Sequence, residues 1–368
     1  MSPRQAEERR RVNPEMVTLA RESRGLTQGE AAKRIGISQG RLSKIEAGLA
    51  PAPDDVLSRI ADVFHYPLGF FSLRDTLLGP GTGEFFHRKR QATPARTLRQ
   101  LHATLNVRMI NIGKLLQAVE IERDDIPRLD PDDLSPSEIA RAVRAQWQLP
   151  MGPITDLVRV VENAGVIVVS SDFGTPRVDA VSRYIPGRPH VFFMDSTVPG
   201  DRQRLTLAHE LGHVVMHQSL HRDMETQAYE FAAELLMPAK EIRSQFDRVD
   251  IPKLAAMKPY WKVSMAALLK RASDVGKVSP RMERYLWSQM GKAGYRTREP
   301  AEIDVPHEEP RLLQEIIDVH RSELGYGLED LSELMGLVED EAQATYAITP
   351  TKSERKARLR ALPGERTA

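Results

Sequence analysis

The chain of 368 residues contains no cysteine. Disulfides and thiolate metal ligands are thereby excluded, so any metal site must be built from histidine and carboxylate; the absence also fits a reducing cytosol. Charge of one sign is lacking too: the formal net charge is +1, so a nucleic-acid surface has to be local rather than global. No apolar run approaches the roughly 20 residues of a membrane span. The first residues are charged (Arg4, Glu7, Glu8, Arg9, Arg10, Arg11) and carry no apolar core of a signal peptide. A cytoplasmic protein with no membrane partner is expected. What is present, 41% hydrophobic and 28% charged residues, is ordinary soluble composition, and the length suggests two or three domains.

One stretch organises the rest: residues 199–238, PGDRQRLTLAHELGHVVMHQSLHRDMETQAYEFAAELLMP. A helix can begin after Pro199-Gly200, at Asp201, and apolar residues recur at Leu205, Leu207, Ala208, Leu211, Val214 and Val215 with mostly helical spacing. His209 and His213, four apart, share a face and can offer two imidazoles to one ion. Glu210 projects nearby, as a general base for metal-activated water requires. Such a pair of histidines is common by chance. Here it lies on an apolar helix, where burying two histidines and a glutamate without a partner is costly. The following helix supplies carboxylates Glu225, Glu230 and Glu234 as candidates for a third ligand. Glu225 is preferred, because it opens that helix and shares an inward face with Ala228, Ala232 and Leu235; Glu230 and Glu234 read as solvated charges or ion-pair partners. His217 lies about 12 Å along the helix from His209, too far to share the ion easily. No glycine breaks the helix ahead of it as in metzincins, so its role stays open between a supporting and a structural one.

HELGHVVMH followed by METQAYEFAAELLMP resembles the ImmA/IrrE family of metallopeptidases, matching Glu225, Ala228, Phe231, Ala232, Ala233, Leu235, Leu236, Met237 and Pro238 to its downstream pattern. The resemblance implies zinc (Zn2+) on His209, His213 and Glu225, Glu210 as catalytic base, and a protein substrate of the transcriptional-repressor class.

Residues 14–72 read as short helices with local stop and start signals. Pro14 opens the first and Gly25 ends it; Thr27 with Glu30 forms a capping box; Gly36 closes the second; Ser38 caps the third, which stops at Gly48. The second and third form a helix-turn-helix. Gln39, Gly40, Arg41, Ser43 and Lys44, beside the cap residue Ser38, suit base edges and phosphate, while Thr27 and Gln28 suit phosphate. Residues 1–49 hold ten Lys/Arg against six Asp/Glu, so the segment is locally basic. LTQGEAAKRIGISQGRLSKIEAG resembles the Cro/CI-type (XRE) helix-turn-helix family, which implies double-stranded DNA as partner. The FHRKR cluster before a TPA-led helix is similar to longer regulators that join these two families; it reads equally as a backbone contact or a solvated hinge.

A long helix from Thr93-Pro94 through Val119 is expected, then a capped helix containing IARAVRAQWQL. GVIVVSS reads as a strand, and VSRYI and HVFFMD flank PGRP as a hairpin, with HVFFMD the candidate edge for holding an extended substrate. Further helices follow, with Trp261, Val263 and Leu268 as core. The expected fold is multidomain and mainly α. A charged tail (1–13) precedes an all-α helix-turn-helix domain (14–72) and a helical connector (73–150). An α+β zincin-like metallopeptidase domain with a small sheet (151–298) comes next, then an acidic linker with C-terminal helices (299–348) and a disordered tail (349–368). The helices near the end read as a packing or homodimer element. The preferred reading is a DNA-binding regulator carrying a zinc peptidase. The alternative is a transcription factor or antitoxin-like repressor whose metal domain serves as sensor or scaffold.

Overall fold

The computed structural model describes residues 12–79, 94–121, 126–217 and 222–349. The GPGTG hinge beyond Gly79, the FHRKR cluster, most of the polar turn after His217 and nearly all of both terminal tails lie outside the described residues. The chain divides into two compact units, residues 1–79, 93–120 and 313–368, and residues 80–92 and 121–312. The architecture is mainly α, with one small sheet. Among the described residues no helix is long and apolar enough to cross a membrane.

In the first unit α1 (Pro14–Ser23), α2 (Gln28–Ile35), α3 (Gln39–Glu46) and α4 (Asp54–Phe64) pack around Met16, Val17, Ala32, Ile35, Leu42, Ile45, Ile60 and Phe64. Their ends obey the local code. Thr27 and Glu30 form the capping box, Ser38 Oγ accepts from Arg41 N at 3.2 Å, and Gly36 closes α2 at φ 78°. The next helix, α5 (Ala95–Leu115), is shorter than the expected run through Val119. Its buried Leu101, Leu105, Ile112 and Leu115 face inward as expected, whereas Leu98 and Leu116 are only half-buried.

The sequence assigns α5 to a connector and the last helices to a separate element, but both pack within this first unit. There α14 (Leu312–Ser322), α15 (Leu328–Met335) and α16 (Glu339–Tyr346) are tied to α5 by buried polar groups. Asn111 Nδ2 donates to Met335 O at 2.6 Å, Tyr346 Oη donates to Asn111 Oδ1 at 2.8 Å, and His320 Nε2 lies 2.8 Å from Leu115 O.

The second unit holds α6 (Pro136–Gln146), α7 (Leu157–Asn163), β1 (Ile167–Ser171), β2 (Ala180–Arg183), β3 (Val191–Asp195), α8 (Gly200–Met216), α9 (Met224–Leu236), α10 (Ala239–Ile242), α11 (Ile251–Trp261), α12 (Met265–Asp274) and α13 (Pro280–Lys292). β2 and β3 pair antiparallel, Ala180 opposite Met194 and Arg183 opposite Val191, as the hairpin reading expects. The edge assignment is corrected. The sheet order is β1-β3-β2, with β1 parallel to β3, so VFFMD is the central strand and is buried throughout. Its backbone is paired on both sides, and strand addition by a substrate is left to β1 or β2. Five consecutive buried residues, rather than an alternating pattern, are the mark of such a central strand.

Residues 299–310 also differ from a solvated linker. Lys258 Nζ donates to Asp201 Oδ2 at 2.5 Å and to Glu299 Oε2 at 2.7 Å, while Glu299 also accepts from the amides of Met265 and Ala266 at the start of α12. Burial alone would lower the Lys258 ammonium, but these two carboxylates outweigh it and hold it above the ordinary lysine value. Glu308 caps α7, accepting from Leu157 N at 2.7 Å and Val158 N at 3.0 Å, and pairs with the buried Arg204 of α8. Acidic residues here strap the segment to the first turn of the helix that carries the candidate site.

Candidate metal centre and nucleic-acid interface

α8 buries Leu207, Ala208, Leu211 and Val215 against the sheet and α9, and this packing fixes the rotation of the helix. α9 meets it through Ala228, Phe231, Ala232 and Leu235, all fully buried. The helices approach at Gly212. A Cβ there would stand 3.0 Å from Phe231 Cδ1 and 3.4 Å from Ala228 Cα, so the glycine of HELGH supplies the space that lets Glu225 reach the histidines. At the other end of α9, arginines hold the terminal carbonyls. Arg144 Nη1 donates to Leu235 O at 2.6 Å, and Arg271 Nε donates to Met237 O at 2.9 Å.

The three side chains preferred as ligands converge. His209 Nε2 and His213 Nε2 lie 3.0 Å apart, Glu225 Oε1 is 3.3 Å from His213 Nε2, and Glu225 Oε2 is 3.6 Å from His209 Nε2. Two ligands about 2.05 Å from a tetrahedral centre stand roughly 3.3 Å apart. The spacing therefore fits a zinc-class cation, and the donor set of two imidazoles and a carboxylate fits its chemistry. His209 and His213 are 4% and 8% exposed, and a shared cation would satisfy three groups rich in lone pairs that are largely removed from water at this separation. Burial by itself would raise the Glu225 carboxyl, but the two imidazoles outweigh it and hold it below the usual carboxylate range. Glu210 is 3% exposed, on the same turn as His209. Glu230 and Glu234 are not in the cluster. Glu230 accepts from Ser137 Oγ at 2.8 Å, and Glu234, rather than being solvated, is 2% exposed and paired with Arg271 and Arg141.

His217 acquires a definite place. His213 Nε2 turns to the cluster, His213 Nδ1 lies 2.9 Å from His217 Nδ1, and His217 Nε2 lies 2.9 Å from Gln227 Oε1; a proton on His213 Nδ1, the tautomer that leaves Nε2 to a metal, would be donated to His217. A ligating imidazole is oriented by such a partner on its other nitrogen. His209 Nδ1 is buried without one among the described residues. Sequence reasoning missed Gln227, and it missed Tyr229, whose ring lies 4.3 Å from that of His209. Tyr229 follows Glu225 by four residues, a helical spacing that could have indicated it. His217→Ala is expected to weaken zinc binding about 10- to 100-fold, read by chelator competition. An unchanged affinity would remove His217 from the site.

In the first unit Gln39, Gly40, Arg41 and Lys44 on α3 are exposed, and Ser43 is half-buried. Three other expected contacts are engaged locally. Thr27 and Ser38 hold caps, and Gln28 Nε2 donates to Glu46 Oε2 at 2.8 Å. Residues 18–71 match the profile of the family described as helix-turn-helix, and residues 161–273 match that of the IrrE N-terminal-like domain. No curated protein matches the chain.

Proposed function

From a chain that joins an XRE-type helix-turn-helix domain to an IrrE/ImmA-like metallopeptidase domain, we propose a regulator that binds double-stranded DNA through α3 and hydrolyses a partner protein at a zinc site. The observation that carries the reading is the meeting of His209, His213 and Glu225 beside the buried Glu210. A zinc ion held there supplies Lewis acidity for water activation and carbonyl polarisation. The residues of the chain do the rest. His209 and His213 present their Nε2 atoms, and the contacts of His213 Nδ1 with His217 and of His217 with Gln227 fix the orientation of the His213 ring. The Glu210 carboxylate takes a proton from the attacking water and returns it to the amide nitrogen of the leaving strand. On the DNA side, Gln39 and Arg41 read base edges, and Lys44, Thr27 and Gln28 lie against phosphates. The substrate is a protein of the repressor class, the target by which proteolysis changes transcription.

The test compares cells expressing the wild-type chain with cells expressing Glu210→Gln, reading new protein N-termini and transcripts together. Cleavage products and a transcript response that both depend on Glu210 support the peptidase. A transcript response identical in the two strains, with no Glu210-dependent N-termini, overturns it and leaves a DNA-binding protein with a metal-containing scaffold.

A further inference from the structure

Helix α5 lies outside the helix-turn-helix segment, yet its first turns are seated against the turn that precedes α2. Arg96 Nε donates to Gly25 O at 2.7 Å, and the Arg96 guanidinium pairs with Glu30 at 3.0 Å. Gly25 adopts φ +64°, a left-handed conformation that favours glycine, and the end of the Gln100 side chain lies against it. The result is a groove with Arg96, Arg99 and Gln100 in one wall and Thr27, Gln28, Gly29 and Gln39 in the other. Thr27, Gln28 and Gly29 open the first helix of the helix-turn-helix, the helix that crosses the backbone in this class of complex, and Gln39 opens the second.

The carboxylates around the groove are held by two arginines: Glu30 pairs with Arg96, and Glu46 and Glu22 share Arg21 at 2.6 and 3.4 Å. Arg99 is exposed and has no ion-pair partner among the described residues. A cation without an ion-pair partner among the described residues, held on a docked helix across the groove from the helix-turn-helix, matches a phosphate oxygen. We propose that Arg99 is a further DNA-backbone contact, so that α5 extends the duplex-binding surface beyond the helix-turn-helix; this rests on the DNA-binding reading above. The contact carries no sequence information. It strengthens binding to all duplexes alike and fixes the register of α3 in the groove.

The experiment uses the full chain and a mixed-sequence duplex of about 30 base pairs, with binding followed by fluorescence anisotropy between about 50 and 200 mM salt. Wild type is compared with Arg99→Ala, Arg99→Lys and Lys44→Ala. Removing one phosphate contact lowers the steepness of log K against log salt by about 0.9, which is roughly an eightfold loss at 0.1 M. Arg99→Ala is expected to show that loss with an unchanged thermal midpoint, and Arg99→Lys to retain the wild-type slope. If Arg99→Ala keeps the wild-type slope and affinity while Lys44→Ala weakens binding, the helix-turn-helix reading stands and the role of α5 is wrong. If the wild type binds no duplex at low salt, the DNA-binding reading itself fails and takes this inference with it.

Discussion

Glu210→Gln is expected to slow peptide hydrolysis by about 10²- to 10⁴-fold while leaving the metal content at the wild-type level. Glutamine keeps the shape of the side chain and removes the proton acceptor. The loss corresponds to roughly 3–5 kcal/mol of transition-state stabilisation, the range general base catalysis supplies. Metal content should not change, because the converging ligand atoms belong to His209, His213 and Glu225. The check is turnover of a peptide library by mass spectrometry on protein batches of known metal content. A rate within tenfold of wild type would place the base elsewhere.

The second large effect is on stability. Glu234→Ala is expected to destabilise the second unit by about 3–5 kcal/mol, the cost of leaving a buried charge without its partner. Glu234 is 2% exposed and the Arg271 side chain 6%, and the carboxylate also accepts from Ala239 N at 3.3 Å. The removed group is therefore hard for water to replace. Because α9 carries both Glu234 and Glu225, the same change should loosen Glu225, the proposed third ligand. Denaturant unfolding of the full chain measures the cost. Glu234→Leu combined with Arg271→Leu separates the charge from the packing, since replacing both partners by apolar side chains is expected to recover much of the loss. A single variant within about 0.5 kcal/mol of wild type would contradict the account.

The parts of the fold set by neighbours in sequence were legible. Caps at Thr27 and Ser38, the turn at Gly36 and the i, i+4 histidines all depend on residues within a few positions of one another. The choice of Glu225 over Glu230 and Glu234 followed from helical faces, because α8 and α9 pack through the same alanines and leucines that mark the inward stripe. What escaped depended on partners far away. Glu234, which sequence leaves open between a solvated charge and an ion-pair partner, finds Arg271 37 positions on, and Glu308 reaches back 104 positions to Arg204, so distant partners decide which acidic residues are buried. Strand order escaped for the same reason. Nothing local to VFFMD says that β1 pairs on its second side, although its unbroken apolar character was a hint of burial on both faces. The role of His217 is open in sequence because helical rise sets it too far from His209 to share an ion easily, while its contact with Gln227 joins residues ten positions apart.

His209, His213 and Glu225 are expected to hold one zinc ion, which metal content by mass spectrometry on the purified wild-type chain, His213→Ala and Glu225→Ala measures. The expected result is about one zinc per chain in the wild type and none in either variant, given that a His2Glu set with one open position is a catalytic zinc arrangement. Wild-type protein without metal, or zinc retained after Glu225→Ala, would contradict it.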